Sequence, residues 1–182
     1  GRCRWPCPRL DSRPMTADPR SRSKRRRDTE HRLTHDIDVW VASASADGAP
    51  YLVPLSFDWD GQALLLATPA DSPTGRNLAA TGTVRLGLGH TRDVSMIDGD
   101  VEVLEIDALP QQRGDRFAAR AGFDPRTQTT RYHWFCIAPR RIQAWREEDE
   151  LSDRELMRDG RWLVDPSRGP SSRFVSTESL DH

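Results

Sequence analysis

The sequence predicts a mainly β protein with short helices (β+α), an antiparallel barrel carrying helices at its ends, and three observations lead there. Two-residue alternation runs through "DIDVWVASASADGAPYLVPLSFDWDGQALLLATP", residues 36–69, punctuated by Asp47-Gly48 and Asp60-Gly61. Asp-Gly between alternating runs is the strongest short hairpin signal. Six or seven strands stand against two short helices, too few to supply the crossovers that a doubly wound parallel sheet needs. The loops are short throughout, which favours a sheet closing on itself.

The elements follow in order. The first run gives three strands, 38–45, 51–59 and 62–68. "TGRNLAATG" (74–82) supports a short helix closed by Gly82, since a left-handed glycine commonly ends a helix. "TVRLGLGH" (83–90) and "DVSMIDGDVEVLE" (93–105) read as two strands with a turn or bulge near Asp98-Gly99. "DALPQQRGDRFAARAGFDP" (107–125) is expected to be helical, entered through Asp107 as N-cap and stopped by Gly122 and Pro125. "YHWFCIAPRRIQAWREE" (132–148) is a strand region that Pro139 should divide, and "ELSDRELMRDGRWLV" (150–164) a turn or half-helix followed by a short apolar anchor.

Composition sets the outer limits. At 182 residues, 36% apolar and 30% charged, the chain suits one domain with tails. Its net charge of -1 hides an asymmetry: residues 1–35 hold 11 basic and 4 acidic side chains. That leader is Pro, Ser and Arg rich and is expected to stay disordered, with residues 1–14, ahead of Met15, read as non-native. The barrel domain is placed at 36–165 and a flexible tail at 166–182. The run "SRSKRRR" lacks interleaved aromatics, so the expectation is a solvated tail and not a nucleic-acid arm. No apolar run reaches the roughly 18 residues of a membrane span, and three cysteines form no even disulfide framework. These features suggest a soluble cytoplasmic protein.

The usual catalytic constellations are missing. His90 and His133 lie in strands, away from any metal-ligand spacing. No serine occupies a G-x-S-x-G elbow, and Cys136, between Phe135 and Ile137, reads as a small buried hydrophobe. The acidic run "REEDELSDRE" (146–155) lacks the order of a calcium loop and reads as a solvated face.

What is left is "SPTGRNL", residues 72–78. A helix N-terminus favours an anion through its unpaired N–H groups and dipole. Ser72 and Thr74 add hydroxyls, Gly75 permits close backbone approach and Arg76 offers a guanidinium fork. The competing reading is an ordinary capped helix with Arg76 in solvent.

The hairpin "VWVASASADGAPYLVP" and the following "TPADSPTGRNLAATGTVRL" together resemble the flavin-binding split β-barrel family of the pyridoxamine 5'-phosphate oxidase type, over roughly residues 39–145. The resemblance implies FMN, or a deazaflavin coenzyme as in many relatives, at a homodimer interface. It places Val53, Pro54, Leu55 and Ser56 beside the isoalloxazine ring and gives the ribityl phosphate to Thr68, Ser72, Thr74, Arg76 and Asn77. Pro73 and Thr74 stand where that family usually has an Arg-Lys pair, so two cations are missing. Leu52 and Ser56 replace basic residues of the true oxidases, which argues against pyridoxine phosphate as substrate. Trp145, and more weakly Arg141, match a closing-strand residue that approaches the partner subunit's flavin. The implied activity is a flavin-dependent oxidoreductase acting on a small molecule. The alternative is a non-catalytic flavin or haem binder, with His90 or His133 as axial ligand.

Overall fold

The computed structural model describes residues 18–167. The first 17 residues, including those read as non-native, and the tail from 168 onward lie outside the described residues.

Six antiparallel strands close the barrel: β1 (Asp38–Ala44), β2 (Pro50–Trp59), β3 (Leu64–Pro69), β4 (Thr83–His90), β5 (Asp93–Glu105) and β6 (Tyr132–Arg146). The sheet order is β3-β2-β1-β4-β5-β6, and a β3–β6 pairing brings its ends together. Alternation along β1 turns Val39 and Val41 inward and Asp38 and Trp40 outward. Every strand contributes to the interior, where Val41, Phe57, Leu64, Leu66, Leu86, Ile97, Phe135, Ile137 and Ile142 are fully buried.

Among the described residues three α-helices dress this barrel. α2 (Pro73–Thr81) follows β3 and is closed by Gly82 at φ 65. α3 (Gln111–Ala121) lies over the outer face of β3 and β6, burying Phe117 against Leu65, Ala67 and Trp134. Phe117 meets Trp134 edge to face at 5.1 Å, and the Trp134 indole N–H donates to Ile106 O at 3.0 Å. α3 does not start at Asp107 as expected. Residues 105–108 form a turn, and Pro110, with φ −53, stands at the helix entrance without a side-chain cap. A proline disfavours helical backbone in the residue before it, which moves the start past Pro110.

The leader departs furthest from expectation. Residues 22–35 are not disordered but form α1 (Arg22–His35), capped by Ser21, whose Oγ accepts from Lys24 N at 3.2 Å. Leu33 is the one apolar side chain of this helix that reaches the core. The rest of its inner face is polar: Ser23, Arg25 and Thr29 are buried, with Thr29 Oγ1 2.8 Å from Ser95 Oγ. The basic run that reads as a solvated tail is bound to its own chain. Arg22 donates to Glu155 O at 2.6 Å, Arg25 to Ala144 O and Glu150 O at 3.2 and 3.0 Å, and Arg26 to Glu30 at 2.9 Å. From α3, Arg120 donates to Leu33 O and Thr34 O at the end of α1, at 3.1 and 2.7 Å; cations suit a helix C-terminus.

Ahead of α1, Arg20 joins a carboxylate cluster. Its guanidinium reaches Glu150 and Asp93 at 2.8 Å each and Asp28 at 2.9 Å. The Glu150 side chain is fully buried and also accepts from the backbone N–H groups of Arg20 and Arg146, both at 2.7 Å. Burial alone would raise its carboxyl, but the side-chain bond to Arg20 and the two backbone donors bring it down to about 2.

Pro139 does not divide the sixth strand. β6 runs unbroken, and between Asp98 and Gly99 its register against β5 shifts, with Gly99 opposite Pro139 and Asp98 opposite Arg141. On the other edge, pairing with β3 ends at Ile137 and pairing with β7 (Glu155–Arg158) begins at Ile142. A proline is tolerated at such a bulge because no ladder demands its missing donor. β7 and β8 (Arg161–Trp162) form a hairpin on the edge of β6, turned by Asp159 and Gly160 at φ 49 and 73. That hairpin replaces the expected half-helix and anchor.

Candidate cofactor site

The barrel is split on one side. β2 pairs with β1 from Pro50 to Ser56, yet with β3 only through Phe57, Asp58 and Trp59. β3 continues beyond Leu66 paired with β6 alone, through Thr68 opposite His133. β2 and β3 therefore diverge, and the stretch holding Val53, Pro54, Leu55 and Ser56 has an open edge. α2 begins where β3 ends and packs against β1, β2, β3 and β5. The two groups of sequence-predicted residues therefore lie on elements that contact one another, β2 on one hand and β3 with α2 on the other.

The helix start is tightly built. Ser72 Oγ accepts from Gly75 N at 3.0 Å and donates to Pro69 O at 2.8 Å, with Thr68 Oγ1 3.1 Å away. A Cβ at position 75 would lie 2.4 Å from Pro69 O and 2.9 Å from Ala70 O, so Gly75 is needed for packing against its own loop. Thr74 and Asn77 face inward, 2% and 8% exposed, and Asn77 Nδ2 donates to Ser43 Oγ at 3.2 Å. Arg76 is exposed and its guanidinium donates to Asp71 O. The motif thus brings one surface cation to the helix N-terminus, beside two hydroxyls that already hold each other. Pro73 has no N–H, and the N–H groups of Gly75 and Arg76 are bonded to Ser72 Oγ and O, so an anion there would rest on the Arg76 guanidinium and Thr74 N.

Trp145 stands opposite Val94 on β6, 12 residues from the His133 that faces Thr68, about 40 Å along a strand. Within one chain it does not join the site. Arg154 lies 5.3 Å from its ring centroid, and Arg141 is paired with Glu155 at 2.8 Å. His90 is exposed. His133 has a buried Nε2 without a hydrogen-bond partner, 3.4 Å from Glu105 Oε1. The hydrogen bond from Arg131 holds the Glu105 carboxyl below its ordinary range. Cys136 is half buried, with Arg113 Nη2 donating to its Sγ at 3.5 Å. Among the described residues no group of three or more His, Cys, Asp or Glu could hold a metal ion, and no helix is long and apolar enough to cross a membrane. Sequence reasoning placed His133 in a strand but could not see it opposite Thr68, because that pairing joins residues 65 apart.

A family model described as pyridoxamine 5'-phosphate oxidase matches residues 32–146. The chain belongs to the pyridoxamine 5'-phosphate oxidase family. The match covers all six barrel strands and the end of α1. Solved structures of similar shape cover about two thirds of the chain. The haem storage protein HutZ from Vibrio cholerae is 14% identical with a TM-score of 0.57, over 69% of this chain and 98% of that one. A Listeria innocua protein assigned to the pyridoxamine 5'-phosphate oxidases is 15% identical with a TM-score of 0.53, over 65% and 95%. An F420 reductase is 19% identical with a TM-score of 0.51, over 62% and 94%. At these identities the likeness is one of fold. A search of curated proteins gives no match.

Proposed function

We propose that this member of the pyridoxamine 5'-phosphate oxidase family is a flavin-dependent oxidoreductase that holds FMN at the opening between β2 and α2, with two such sites in a homodimer. The observation that carries the reading is the open β2 edge from Pro50 to Ser56 beside the N-terminus of α2. When bound, the flavin would supply hydride exchange at its N5, which suits a chain without a visible nucleophile or acid–base pair. The backbone of Val53, Pro54, Leu55 and Ser56 would orient the ring. The Arg76 guanidinium would hold the phosphate through charge-assisted bonds, with Thr74 N as the first-turn donor. Thr68 and Ser72 shape that turn, while Thr74 and Asn77 fix α2 to the barrel. The exposed Leu52, on the outer face of β2 with Pro54, supplies apolar surface for a second subunit, whose Trp145 or Arg141 would complete the site.

A deazaflavin coenzyme is the second reading. It is favoured by the single cation of "SPTGRNL" and by the shared fold of an F420 reductase. Haem, held through His133, is a third, suggested by the orphaned Nε2 and the fold of HutZ. Releasing the chromophore from purified protein and measuring its mass separates them: FMN supports the proposal, and a deazaflavin or haem replaces it. Titration of FMN and riboflavin into Arg76→Ala tests the phosphate role. About a tenfold loss confined to FMN is expected from one charge-assisted contact, and equal losses would refute it.

A further inference from the structure

A groove of about 370 Å³ runs across the outer face of the barrel, lined by Trp40, Pro54, Gly87, Gly89, Asp36, Asp38 and His90. Its volume is within the range that holds small ligands. Strand register makes it. Trp40 on β1 stands opposite Pro54 on β2 and opposite Gly87 on β4. β4 alternates buried Leu86 and Leu88 with Gly87 and Gly89, so its outward positions here carry no side chain. The indole of Trp40, 52% exposed, forms one wall, and among the described residues no cation or aromatic ring packs on it.

The charge at this groove is negative. Asp38 accepts from Ser56 Oγ at 2.7 Å and faces no cation among the described residues. Asp36 has no hydrogen-bond or ion-pair partner for its carboxylate among the described residues. Two guanidinium groups come near: that of Arg120 donates to the backbone O of Asp36, and that of Arg32 has its Cζ 2.8 Å from where a Cβ of Gly89 would stand. Arg32 is met by Asp93 Oδ2 at 2.8 Å and also donates to Ser95 Oγ at 3.2 Å, while Arg120 is spent on the carbonyls of Leu33, Thr34 and Asp36. His90 is the other titratable group that lines the groove.

We infer that this groove binds a small flat aromatic cation, stacked against Trp40 with its charge toward Asp36 and Asp38. Indole is the best aromatic partner for a cation, and two carboxylates that no cation pairs with directly among the described residues add to that preference. The glycine floor lets a planar ring lie on backbone, a common reason for glycine within a strand. Pro54 belongs both to this groove and to the β2 stretch proposed to orient the flavin. The inference rests on the flavin reading only in making the bound cation a substrate.

Calorimetric titration of the protein with 1-methylquinolinium, neutral quinoline and quinoline-2-carboxylate tests it. The cation should bind at least about tenfold more tightly than the anion. Trp40→Ala should weaken it by about tenfold, and Asp36→Asn with Asp38→Asn should erase the preference for charge. Gly87→Ala keeps the fold, because a Cβ there meets Met96 Sδ and Trp40 Cβ at ordinary contact distances of 3.5 and 3.7 Å, yet it should raise the groove floor and weaken binding. Equal affinity for cation and anion, no binding of the cation, or undiminished binding by both the Trp40 and Gly87 variants would overturn the inference. FMN is titrated into the same samples. Absent FMN binding with retained quinolinium binding would overturn the proposed function and leave the groove's assignment standing.

Discussion

Glu150→Gln removes one formal charge from a buried ion cluster without changing its shape. The wild-type carboxylate has no exposed side-chain surface and is bound by the Arg20 guanidinium and by the N–H groups of Arg20 and Arg146. A carboxyl held at about 2 in place of its ordinary 4.5 corresponds to about 3 kcal/mol of stability at neutral pH. Solvent at the outer carboxylates, Asp28 and Asp93, trims this to about 2 kcal/mol through screening. For a domain of this size, melting should fall by about 4–8 °C. The depressed carboxyl makes the contribution fully present above the unfolded-state value of 4.5 and lost as pH falls toward about 2. The gap between wild type and Glu150→Gln, followed by circular dichroism melts, should therefore persist from neutral pH to about pH 5 and narrow by about pH 3. A gap of under about 1 °C at neutral pH, or one of the same size at about pH 3, would refute the reasoning.

Three further outcomes follow from the packing. Leu33→Ala should cost about 2–4 kcal/mol in denaturant unfolding, since Leu33 is fully buried in the barrel core; a cost below about 0.5 kcal/mol would mean that α1 is not part of the folding unit. Gly75→Ala should cost about 2 kcal/mol or more, because its Cβ would stand 2.4 Å from a backbone carbonyl, and weaker FMN binding should accompany the displaced helix start. Arg120→Ala leaves the carbonyls of Leu33 and Thr34 without their guanidinium and should cost about 2 kcal/mol. Hydrogen exchange in the last turn of α1 should then rise more than in the barrel strands.

The barrel was legible because its signal is local. Asp47-Gly48 and Asp60-Gly61 mark real turns, with Gly48 and Gly61 at φ 89 and 98, and alternating burial follows the apolar pattern of β1 and β4. α1 escaped because one leucine gives no apolar period. Its inner face is held by arginine and hydroxyl bonds to residues such as Ser95, Ala144 and Glu150, and chain composition does not record such partners. The β7–β8 hairpin carried the same Asp-Gly signal at Asp159-Gly160, but strands of four and two residues are too short to show alternation. At the candidate site, the cap Ser72 and the helix stop at Gly82 could be read directly. The inward turn of Thr74 and Asn77 and the orphaned His133 could not, since both depend on which strands stand beside them.

The divergence of β2 from β3 has one more consequence. Opposite Trp40 and Ala44, Pro54 and Pro50 have no donor to give β1, so positions 50, 52, 54 and 56 direct their nitrogens outward, to the unpaired side. Of these four, Leu52 and Ser56 alone carry an N–H. A second polypeptide adding itself as a strand would find every other donor missing, which is how natural proteins discourage edge-to-edge aggregation. A compact ligand needing one or two donors meets no such obstacle. The two prolines let the barrel stay open to a small molecule while discouraging another chain from pairing with it as a strand.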